Sequence, residues 1–369
     1  MTTALRRLAL GAYVPARTAK WPGASRLFVV GDDFGWSIDD DRDRLSATAR
    51  RLGYDVAPAA WAQFAERQAV FHHDHFGALQ PRWLESSHLL GLSYFHGRPG
   101  TPGYPEFDRA YESLQRHSRR IDRVQVTHAE MHELVVAAGI DPTKVHRIPI
   151  GVDLENFPLV DQAGRTRARA DLGIPQSAFV VGSFVKDGVG LADGSEPKFV
   201  KGPDTLVAVL ARLHEAIPEL FVLLTGPARG YVRRELESRR IALRHVLLGS
   251  RAELGRAYHA LDVSLVASRQ EGGPKAVLES LAAGVPLVTT RVGQAPELVT
   301  DGENGLLANV DDVDALTAAV LRIHADAALA GRFQSAGRMT AEANADERLD
   351  GRWAALLDGF VQRDASRVD

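Results

Sequence analysis

The sequence predicts an α/β protein made of two doubly wound domains with a central cleft, and three observations support this. Short apolar runs alternate with helical patterns along most of the chain, which is typical of βαβ units around parallel sheets. The pattern breaks once, in the segment 148–158, which contains prolines and a glycine. The 369 residues are enough for two or three domains of ordinary size. Two halves would then face each other, with ligand-binding loops at the carboxyl ends of their strands.

The individual strands are predicted from short apolar runs bounded by turn residues. In the first half they lie at 27–30, 69–71, 90–95, 124–127 and 145–150. In the second half they lie at 179–185, 220–225, 245–248, 263–266 and 287–290. The segment 204–216 predicts an amphipathic helix that covers a sheet. Its apolar face holds Leu206, Val209, Leu210 and Leu213.

The break in the pattern sets the predicted domain boundaries. We predict a first domain over residues 1–155, a second over 156–345 and a C-terminal helix over 346–369. The apolar face of that last helix contains Trp353, Leu356, Leu357 and Phe360. Its spacing indicates that the helix packs on an apolar surface but does not reveal which domain supplies that surface.

Composition excludes several classes of function. Lys and Arg total 44 against 47 Asp and Glu, and a net charge of -3 argues against a surface built to bind nucleic acid. A chain without cysteine has no disulfides, thiolate metal sites or cysteine nucleophile. Residues 1–26 carry five basic and no acidic side chains, with no apolar run that suits a signal peptide or membrane span. We expect a cytoplasmic protein, with a weak peripheral contact between this basic segment and the inner membrane face as an open alternative.

The most informative segment runs from Glu271 to Glu279, between an apolar strand and a helix. Its Gly272-Gly273-Pro274 sequence suits a tight loop that enters a helix, where backbone amides favour an anion. Glu279 would project from the opening of the helix while Glu271 stays on the loop. Two carboxylates so placed can accept hydrogen bonds from sugar hydroxyls. The alternative is a helix start whose acidic residues only suit the helix dipole.

This segment and the residues after it resemble the retaining, nucleotide-sugar-dependent glycosyltransferases of family 4, which have the GT-B fold of two facing Rossmann-like domains. Glu271 and Glu279 form the E-x7-E motif of that family. The stretches 280–288, 292–297 and 301–306 then follow in the family's order. The resemblance implies that a sugar moves from a nucleotide diphosphate sugar to a hydroxyl acceptor with retention of configuration and without a metal or other cofactor.

The resemblance covers about residues 120–325 and is specific there. Upstream, 148–153 with Phe157 is similar to the segment that ends the family's acceptor-binding domain. One departure is Gln294, which stands where the family often has a second glycine. The resemblance implies that the first domain binds the acceptor and that the second domain binds the donor.

The resemblance also implies roles for single residues. Glu279 falls on the position that binds the donor ribose, and Glu271 on the position beside the donor sugar. The predicted catalytic residues are Glu271, His96, Lys201 and Lys186. The predicted donor-binding residues are Glu279, Gly272, Gly273, Pro274, Lys275, Gly226, Arg229 and Gly31. No residue is assigned to a metal.

Cations are required because a leaving diphosphate gains negative charge in the transition state. The family usually has an arginine after the first strand of its second domain, where this sequence has Ser183, with Lys186 three residues later. Lys201 lies in an intact Lys-Gly pair. We assign both lysines to the diphosphate, although a solvated loop lysine is an alternative for Lys186. The long, glycine-rich loop 187–198 is expected to close over the donor.

Other loops contribute candidates of lower specificity. Arg229, in the Gly226 loop after another strand, would reach phosphate or base, with a plain surface role as the alternative. Gly31 follows the first strand, and the loop 31–35 resembles the family's glycine-containing loop, which lets donor and acceptor approach the backbone closely. His96 matches the family's histidine beside the reacting sugar, although a histidine that ends a strand also bonds to backbone. The His72-His73-Asp74-His75 run fits no common metal spacing, because adjacent strand residues point to opposite faces.

Three other functions compete with glycosyl transfer. Another GT-B enzyme is one, either a nucleotide-sugar epimerase or a phosphorylase, although no motif for a pyridoxal phosphate lysine is present. A non-catalytic two-domain sugar-binding protein is the second, and it predicts an export signal that the sequence does not show. A dinucleotide-dependent oxidoreductase would need a glycine fingerprint followed by a ribose-binding acid, which neither half shows. The donor base, the sugar, the acceptor and the oligomeric state are left open.

Overall fold

The computed structural model describes residues 25–31, 37–190 and 192–363. The chain divides into two compact units. The first consists of Met1–Ile148 together with Leu349–Asp369, and the second is the continuous segment Pro149–Arg348. The division falls a few residues before the predicted boundary at 155, and the C-terminal segment belongs with the first unit.

The first unit is built on one parallel sheet, to which the described residues contribute six strands. They are β1 Leu27–Val30, β2 Val56–Ala57, β3 Ala69–His72, β4 Leu89–Ser93, β5 Arg123–Val126 and β6 Val145–Arg147. Their order across the sheet is β2-β1-β3-β4-β5-β6, so the direction of winding reverses between β1 and β3. The helices between them are α1 Ser37–Arg51, α2 His75–Ala78, α3 Pro81–Leu84, α4 Pro105–Arg116 and α5 Ala129–Ala137.

The second unit repeats this architecture, again with six parallel strands among the described residues. They are β7 Phe179–Ser183, β8 Leu220–Thr225, β9 Leu243–Val246, β10 Val263–Val266, β11 Leu287–Thr290 and β12 Leu306–Ala308. The order β12-β11-β10-β7-β8-β9 places the reversal between β7 and β10. The helices are α6 Gln162–Leu172, α7 Pro203–Ala216, α8 Gly230–Ser238, α9 Arg251–Tyr258, α10 Lys275–Ala283, α11 Ala295–Leu298, α12 Val313–Ala325 and α13 Ala327–Ala343.

The predicted α/β class is confirmed, and the predicted strands all lie within or overlap observed ones. The two short edge strands β2 and β12 were not predicted, because two or three residues carry too little alternation to be recognised. The amphipathic helix predicted at 204–216 is α7, and all four residues of its predicted apolar face are buried in the core of the second unit. Hydrophobic burial therefore fixes the side of the sheet on which this helix lies.

The C-terminal helix, α14 Asp350–Leu357, completes the core of the first unit. The Trp353 ring makes an edge contact with Phe71 of β3, with ring centroids 6.1 Å apart. Arg123 of β5 donates from Nε to the carbonyl oxygen of Leu356 over 2.9 Å. The spacing of this helix leaves its packing partner open, and the structure shows that it packs on α1 and β6 of the first unit, with Trp353 against β3.

Truncation of Leu356 tests this packing. Its side chain is fully buried in the core cluster of the first unit, so Leu356→Ala should lower the free energy of unfolding by about 2 to 5 kcal/mol. The matched control is Leu247→Ala, because Leu247 is 71% exposed and its truncation should change stability by less than about 0.5 kcal/mol. Urea unfolding followed by circular dichroism measures both. Equal stability of the two variants would contradict the assignment of this helix to the core.

Candidate functional site

The predicted catalytic residues of the second unit gather at one edge of its sheet. Lys186 and Lys201 lie on the connection after β7, and Glu271 lies on the connection after β10. These two strands are neighbours and flank the point where the winding of the sheet reverses. In open α/β sheets, ligands bind outside the carboxyl ends of the strands at this point. The topology therefore brings together three residues that are up to 85 positions apart in the sequence.

Gly202 brings the two connections into contact. Its φ is +62°, and a Cβ placed on it would lie 1.9 Å from the carbonyl oxygen of Ala267. The preceding residues pair with the same strand end, since the backbone N–H of Arg269 donates to the carbonyl oxygen of Val200 over 2.9 Å. Glycine is required here both for the left-handed backbone and for the close approach. This packing fixes the position of Lys201 beside the β10 connection.

Lys201 and Glu271 form a direct ion pair. Lys201 Nζ lies 2.5 Å from Glu271 Oε2, and Ser268 Oγ donates to Glu271 Oε1 over 2.8 Å. Thr290 Oγ1 in turn donates to the carbonyl oxygen of Ser268 over 2.6 Å. Glu271 is buried, while the Lys201 side chain stays partly accessible. The carboxylate is held in a fixed orientation and keeps lone pairs for further hydrogen bonds, because each carboxylate oxygen accepts about two.

Three lysines surround the end of β7. Burial, together with the neighbouring positive charges of Lys198 and Lys201, lowers the pKa of Lys186 to about 8. Lys198 was not predicted as a site residue. A signal was present, since Lys198 precedes the short 3-10 helix Phe199–Lys201, in which residues three apart lie on the same side. The local charge at this edge is therefore strongly positive in a chain whose net charge is -3.

Arg269 stabilises the contact between the turn of Lys201 and the loop of Glu271. It pairs with Asp204, at 2.6 Å from Nη1 to Oδ1, and with Asp311, at 2.8 Å from Nη2 to Oδ1. Its Nη1 also donates to the carbonyl oxygen of Phe199 over 2.8 Å. Hydrogen bonding to these carboxylates raises the pKa of Arg269, above all through Asp204. The 3-10 turn that carries Lys201 is thereby tied to the loop that carries Glu271.

Glu279 lies in the second turn of α10, and it is buried. Arg251 Nη2 donates to Glu279 Oε1 over 2.8 Å, and Tyr258 Oη donates to Oε2 over 3.1 Å. Burial raises the pKa of Tyr258 well above its usual range, and the Glu279 charge adds to this effect. Both partners belong to α9 and were not predicted, because a helix 28 residues upstream gives no linear signal of contact with the motif. They orient the carboxylate that the motif supplies.

The loop between the two glutamates is held against the residues after β11. The backbone N–H of Gln294 donates to the carbonyl oxygen of Gly272 over 3.1 Å. Gln294 is also buried, and its amide clamps the backbone of Ile150 through bonds of 2.9 Å to the N–H and 3.1 Å to the carbonyl. A Cβ at Gly273 would lie 2.8 Å from this amide. The departure from the family pattern at Gln294 thus has a structural use, which is to tie the motif loop to the start of the unit.

The motif loop leads into the N-terminus of α10. The helix begins at Lys275 after Pro274, whose side chain forms no cap to the first backbone amides. Such amides, together with the helix dipole, favour a negatively charged group. The geometry is therefore compatible with the predicted backbone contacts of Gly272, Gly273, Pro274 and Lys275, which stay predictions.

Arg229 and Gly226 have different environments. Arg229 is fully buried, and its guanidinium is occupied by protein oxygens, which include a carboxylate oxygen of Asp187 at 2.9 Å. This geometry does not favour the predicted contact of Arg229 with the donor, nor a surface role, because every guanidinium nitrogen already has a partner. Gly226 has a φ of +81° with open space where a Cβ would lie, so a ligand contact there stays a prediction.

The described residues of the glycine-rich loop, 187–190 and 192–198, are docked rather than extended. Its carbonyl oxygens accept from the start of α8, at 2.6 Å from Gly230 N–H to Asp193 and at 3.0 Å from Tyr231 N–H to Gly194. The loop therefore supplies the hydrogen-bond acceptors that the free amides at the start of α8 require. Closure over the donor would first have to break these bonds.

His96, in the first unit, follows β4 on a glycine-rich connection. It is half-buried, and its ring lies 5.8 Å from the Phe107 ring and 6.1 Å from the His75 ring, measured between centroids. Gly31 follows β1, and a Cβ placed on it would lie 2.5 Å from Asp39 Oδ1. The remainder of that predicted loop, 32–35, lies outside the described residues, as does most of the basic segment 1–26. The roles of His96 and Gly31 stay predictions.

The side chains of the histidine run after β3 lie in different environments. Burial lowers the pKa of both His72 and His75 to about 3, so both rings are neutral. His72 packs edge-on against Trp83, while His75 stacks on Tyr94 at 4.2 Å. Within the described ranges no group of three or more His, Cys, Asp or Glu residues is arranged to hold a metal.

Comparison with known proteins identifies the family. Residues 192–326 match the family described as Glycosyl transferases group 1. The chain is 32% identical over 370 residues to a D-inositol 3-phosphate glycosyltransferase of Segniliparus rotundus, an alignment that covers 92% of this chain and 77% of that relative. The chain belongs to the group 1 glycosyltransferases. Like them, this glycosyltransferase is an enzyme that transfers a sugar from a nucleotide sugar, in the retaining mode of family 4.

Other relatives extend the comparison. This glycosyltransferase is 34% identical to a GDP-mannose-dependent alpha-(1-6)-phosphatidylinositol monomannoside mannosyltransferase of Mycolicibacterium smegmatis, over 58% of this chain and 56% of that relative. Among solved structures, Anabaena Alr3699/HepE in complex with UDP and glucose aligns with a TM-score of 0.72 at 16% identity, over 91% of this chain and 99% of that one. Sucrose-phosphate synthase from Thermosynechococcus elongatus gives 0.69 at 19% identity, over 91% and 98%. The predicted GT-B fold is confirmed.

Substitution of Gly202 tests the contact between the two connections. Gly202→Ala forces a left-handed backbone on a residue with a Cβ and places that Cβ against Ala267, which should cost about 1 to 3 kcal/mol of unfolding free energy or more. The control is Gly331→Ala in α13, where no atom lies within 4 Å of the new Cβ and about 1 kcal/mol of stability should be gained. Urea unfolding measures both changes. A Gly202→Ala variant as stable as Gly331→Ala would contradict the close approach.

Proposed function

We propose that the edge between β7 and β10 binds the nucleoside diphosphate part of a sugar donor. Glu279 takes the ribose hydroxyls, Lys186 and Lys201 take the diphosphate, and Glu271 takes hydroxyls of the transferred sugar. The observation that carries this assignment is the Lys201–Glu271 contact of 2.5 Å at the reversal point of the sheet. This contact supports the proposal because a leaving group and the sugar attached to it would require a cation directly beside a carboxylate.

The charges support a leaving diphosphate. When the bond between the anomeric carbon and the phosphate oxygen breaks, negative charge grows on that oxygen and positive character grows on the sugar. Lys186 and Lys201 stabilise the first charge, and Glu271 holds the sugar on the other side. The acceptor hydroxyl forms its new bond on the same face, and its proton passes to the departing phosphate oxygen. This sequence of bonds retains the anomeric configuration and needs no second catalytic carboxylate.

The Lys201–Glu271 pair has a second use before the donor arrives. An ammonium group donates up to three hydrogen bonds, so Lys201 can keep Glu271 while it binds a phosphate oxygen. The Glu271 carboxylate is therefore oriented in advance by Lys201 and Ser268 rather than by the substrate. Preorganised groups of this kind lose little entropy at the moment of reaction.

We also propose that the lysines neutralise the diphosphate without a divalent cation. Lys186, Lys198 and Lys201 supply up to three positive charges at one strand end. A donor diphosphate carries about two negative charges, so the protein charge is sufficient for the leaving group. Full activity in the presence of EDTA is the expected result.

The acceptor is proposed from the relatives together with the first unit. The two relatives described above are named for acceptors that contain inositol, one a phosphate and one a lipid glycoside. We propose a hydroxyl acceptor and place inositol phosphates first among the candidates. No helix in the described residues is long and apolar enough to cross a bilayer. A cytoplasmic location and a weak membrane contact of the basic N-terminal segment stay proposals.

The proposed function is tested with a panel of UDP- and GDP-sugars, first by thermal shift and then by transfer to inositol phosphates. A ligand at 100 times its dissociation constant stabilises its protein by about 2.7 kcal/mol, which a thermal shift detects. Stabilisation by a nucleotide sugar, with release of its nucleoside diphosphate once acceptor is added, supports the proposal. Absence of any shift across the panel would overturn it.

The two glutamates should separate binding from turnover. Glu271→Gln keeps shape but removes the charge beside the sugar, so turnover should fall by about 10- to 1000-fold. Its nucleoside diphosphate affinity should stay within about twofold of wild type, because the lost contact forms mainly in the transition state. Glu279→Gln should instead weaken that affinity by about 5- to 30-fold through impaired bonds to the ribose.

Calorimetry and steady-state kinetics measure this separation, with Glu303→Gln as an exposed control in the same unit. Unchanged turnover in Glu271→Gln would show that Glu271 is only an acid near a helix start. Unchanged affinity in a folded Glu279→Gln variant would remove the ribose assignment.

The lowered pKa of Lys186 predicts a pH dependence of donor binding. Lys186 is charged below a pH of about 8 and loses its charge as the pH rises through that value. Above it, the dissociation constant of the nucleoside diphosphate should rise, by up to about tenfold per pH unit, because binding must then take up a proton. Lys186→Arg keeps its charge to a pH of about 12, so its affinity should vary less between about pH 7 and 9.5. Parallel pH profiles for wild type and this variant would contradict the assignment.

A further inference from the structure

Arg229 is a fully buried cation with a complete set of partners. Its Nε donates to Asp187 Oδ1 over 3.0 Å, and its Nη2 lies 2.9 Å from Asp187 Oδ2. Nη1 donates to the carbonyl oxygens of Ser183 over 2.6 Å and Thr225 over 3.2 Å. Nη2 also donates to Ser183 Oγ over 3.3 Å. Neither Arg229 nor Asp187 is accessible, so this pair has no direct part in ligand binding.

The partners of Arg229 are the ends of two neighbouring strands. Ser183 is the last residue of β7, and Thr225 is the last residue of β8. Asp187 lies four residues after the end of β7. The segment 183–187, which includes Lys186, is thus fixed at both ends by one guanidinium. The buried ion pair therefore sets the backbone position of Lys186, which would otherwise be a flexible loop lysine.

The same pair reaches the second lysine of the loop. The carbonyl oxygen of Asp187 accepts from the backbone N–H of Lys198 over 2.8 Å, which closes the base of the loop 187–198. Lys198 then leads directly into the turn that carries Lys201, since the Lys201 N–H donates to the Lys198 carbonyl oxygen over 2.8 Å. Arg229 is therefore connected, through Asp187 and backbone hydrogen bonds, to the segments that carry Lys186, Lys198 and Lys201.

Stability alone is a poor reason for this pair. Replacement of a buried ion pair by apolar residues of similar volume is often neutral or stabilising, because desolvation offsets the attraction between the charges. Burial indeed raises the pKa of Asp187, while the Arg229 charge acts in the opposite direction. An apolar pair cannot form directional bonds to the end of β7, the end of β8 and the base of the loop at the same time.

We propose that Arg229, with Asp187, is a positioning residue of the donor site, which holds Lys186 and Lys198 where they contact the diphosphate. This inference rests on the proposed function of the β7–β10 edge. It assigns to Arg229 an action through the lysines and no contact with the donor. The expected signature is a specific loss of affinity for the second phosphate.

The test compares Arg229→Lys with Arg239→Lys. The lysine at 229 keeps the charge but not the planar set of donors, whereas Arg239 is exposed and, within the described residues, pairs with Glu235 and Ser238. For each protein the dissociation constants of UDP, UMP, GDP and GMP are measured by calorimetry. For the base that binds more tightly, the affinity for its diphosphate is divided by the affinity for its monophosphate. This ratio should fall at least about tenfold in Arg229→Lys and stay unchanged in Arg239→Lys. The monophosphate affinity itself should stay unchanged in both variants. Arg229→Lys should also lose the change in diphosphate affinity around pH 8 that Lys186 produces.

The outcomes distinguish this inference from the proposed function. If wild type binds diphosphate no better than monophosphate, the diphosphate site itself is wrong. If wild type prefers diphosphate and Arg229→Lys keeps both that preference and the pH dependence, Arg229 is not a positioning residue. A fall in the affinities for both nucleotides by the same factor also overturns it, because that is the result of general loosening. If Arg229→Lys does not fold, Asp187→Asn is measured by the same ratio and decides the question on the same criteria.

Discussion

The candidate site of the second unit depends on one close backbone approach, that of Gly202 to Ala267. It joins the connections after β7 and β10, which are distant in sequence but adjacent at the edge of the sheet. The Lys201–Glu271 contact follows from this approach. The 3-10 turn can present Lys201 to Glu271 only because no side chain separates the two backbones. The parallel sheet brings the two strand ends next to each other, and Gly202 allows the backbones that follow them to come into contact.

The electrostatics of the site are local rather than global. The chain has a slight excess of acidic residues, yet three lysines converge at one strand end and a buried arginine lies below them. Such a concentration of like charge is unfavourable in the absence of an anion. Glu271 and Asp187 each offset part of it, one in the proposed donor site and one in contact with the buried Arg229. The site is therefore poised for an anionic ligand without being strongly repulsive when empty.

The sequence predicts most of the fold and about half of the site, and the difference has a physical cause. Strands of four residues or more and the α7 face follow from local periodicity, while β2 is defined only by its partner in the sheet. Glu271 and Glu279 are found because a linear motif carries them. Tyr258 and Arg229 act through contacts that join separate elements, and linear spacing does not encode such contacts. The burial of Arg229, which does not favour its predicted contact with the donor, is likewise a property of the tertiary structure.

The path of the chain through its two units has a consequence for biosynthesis. The second unit is one continuous segment, Pro149–Arg348, whereas the core of the first unit includes residues from both Leu27 and Phe360. On the ribosome, the second unit can fold as soon as it emerges. The first unit, although synthesised earlier, must wait for α14 before the core cluster that contains Leu27 and Phe360 is covered. The half that is made first is thus completed last, and until then this apolar face of its sheet stays uncovered.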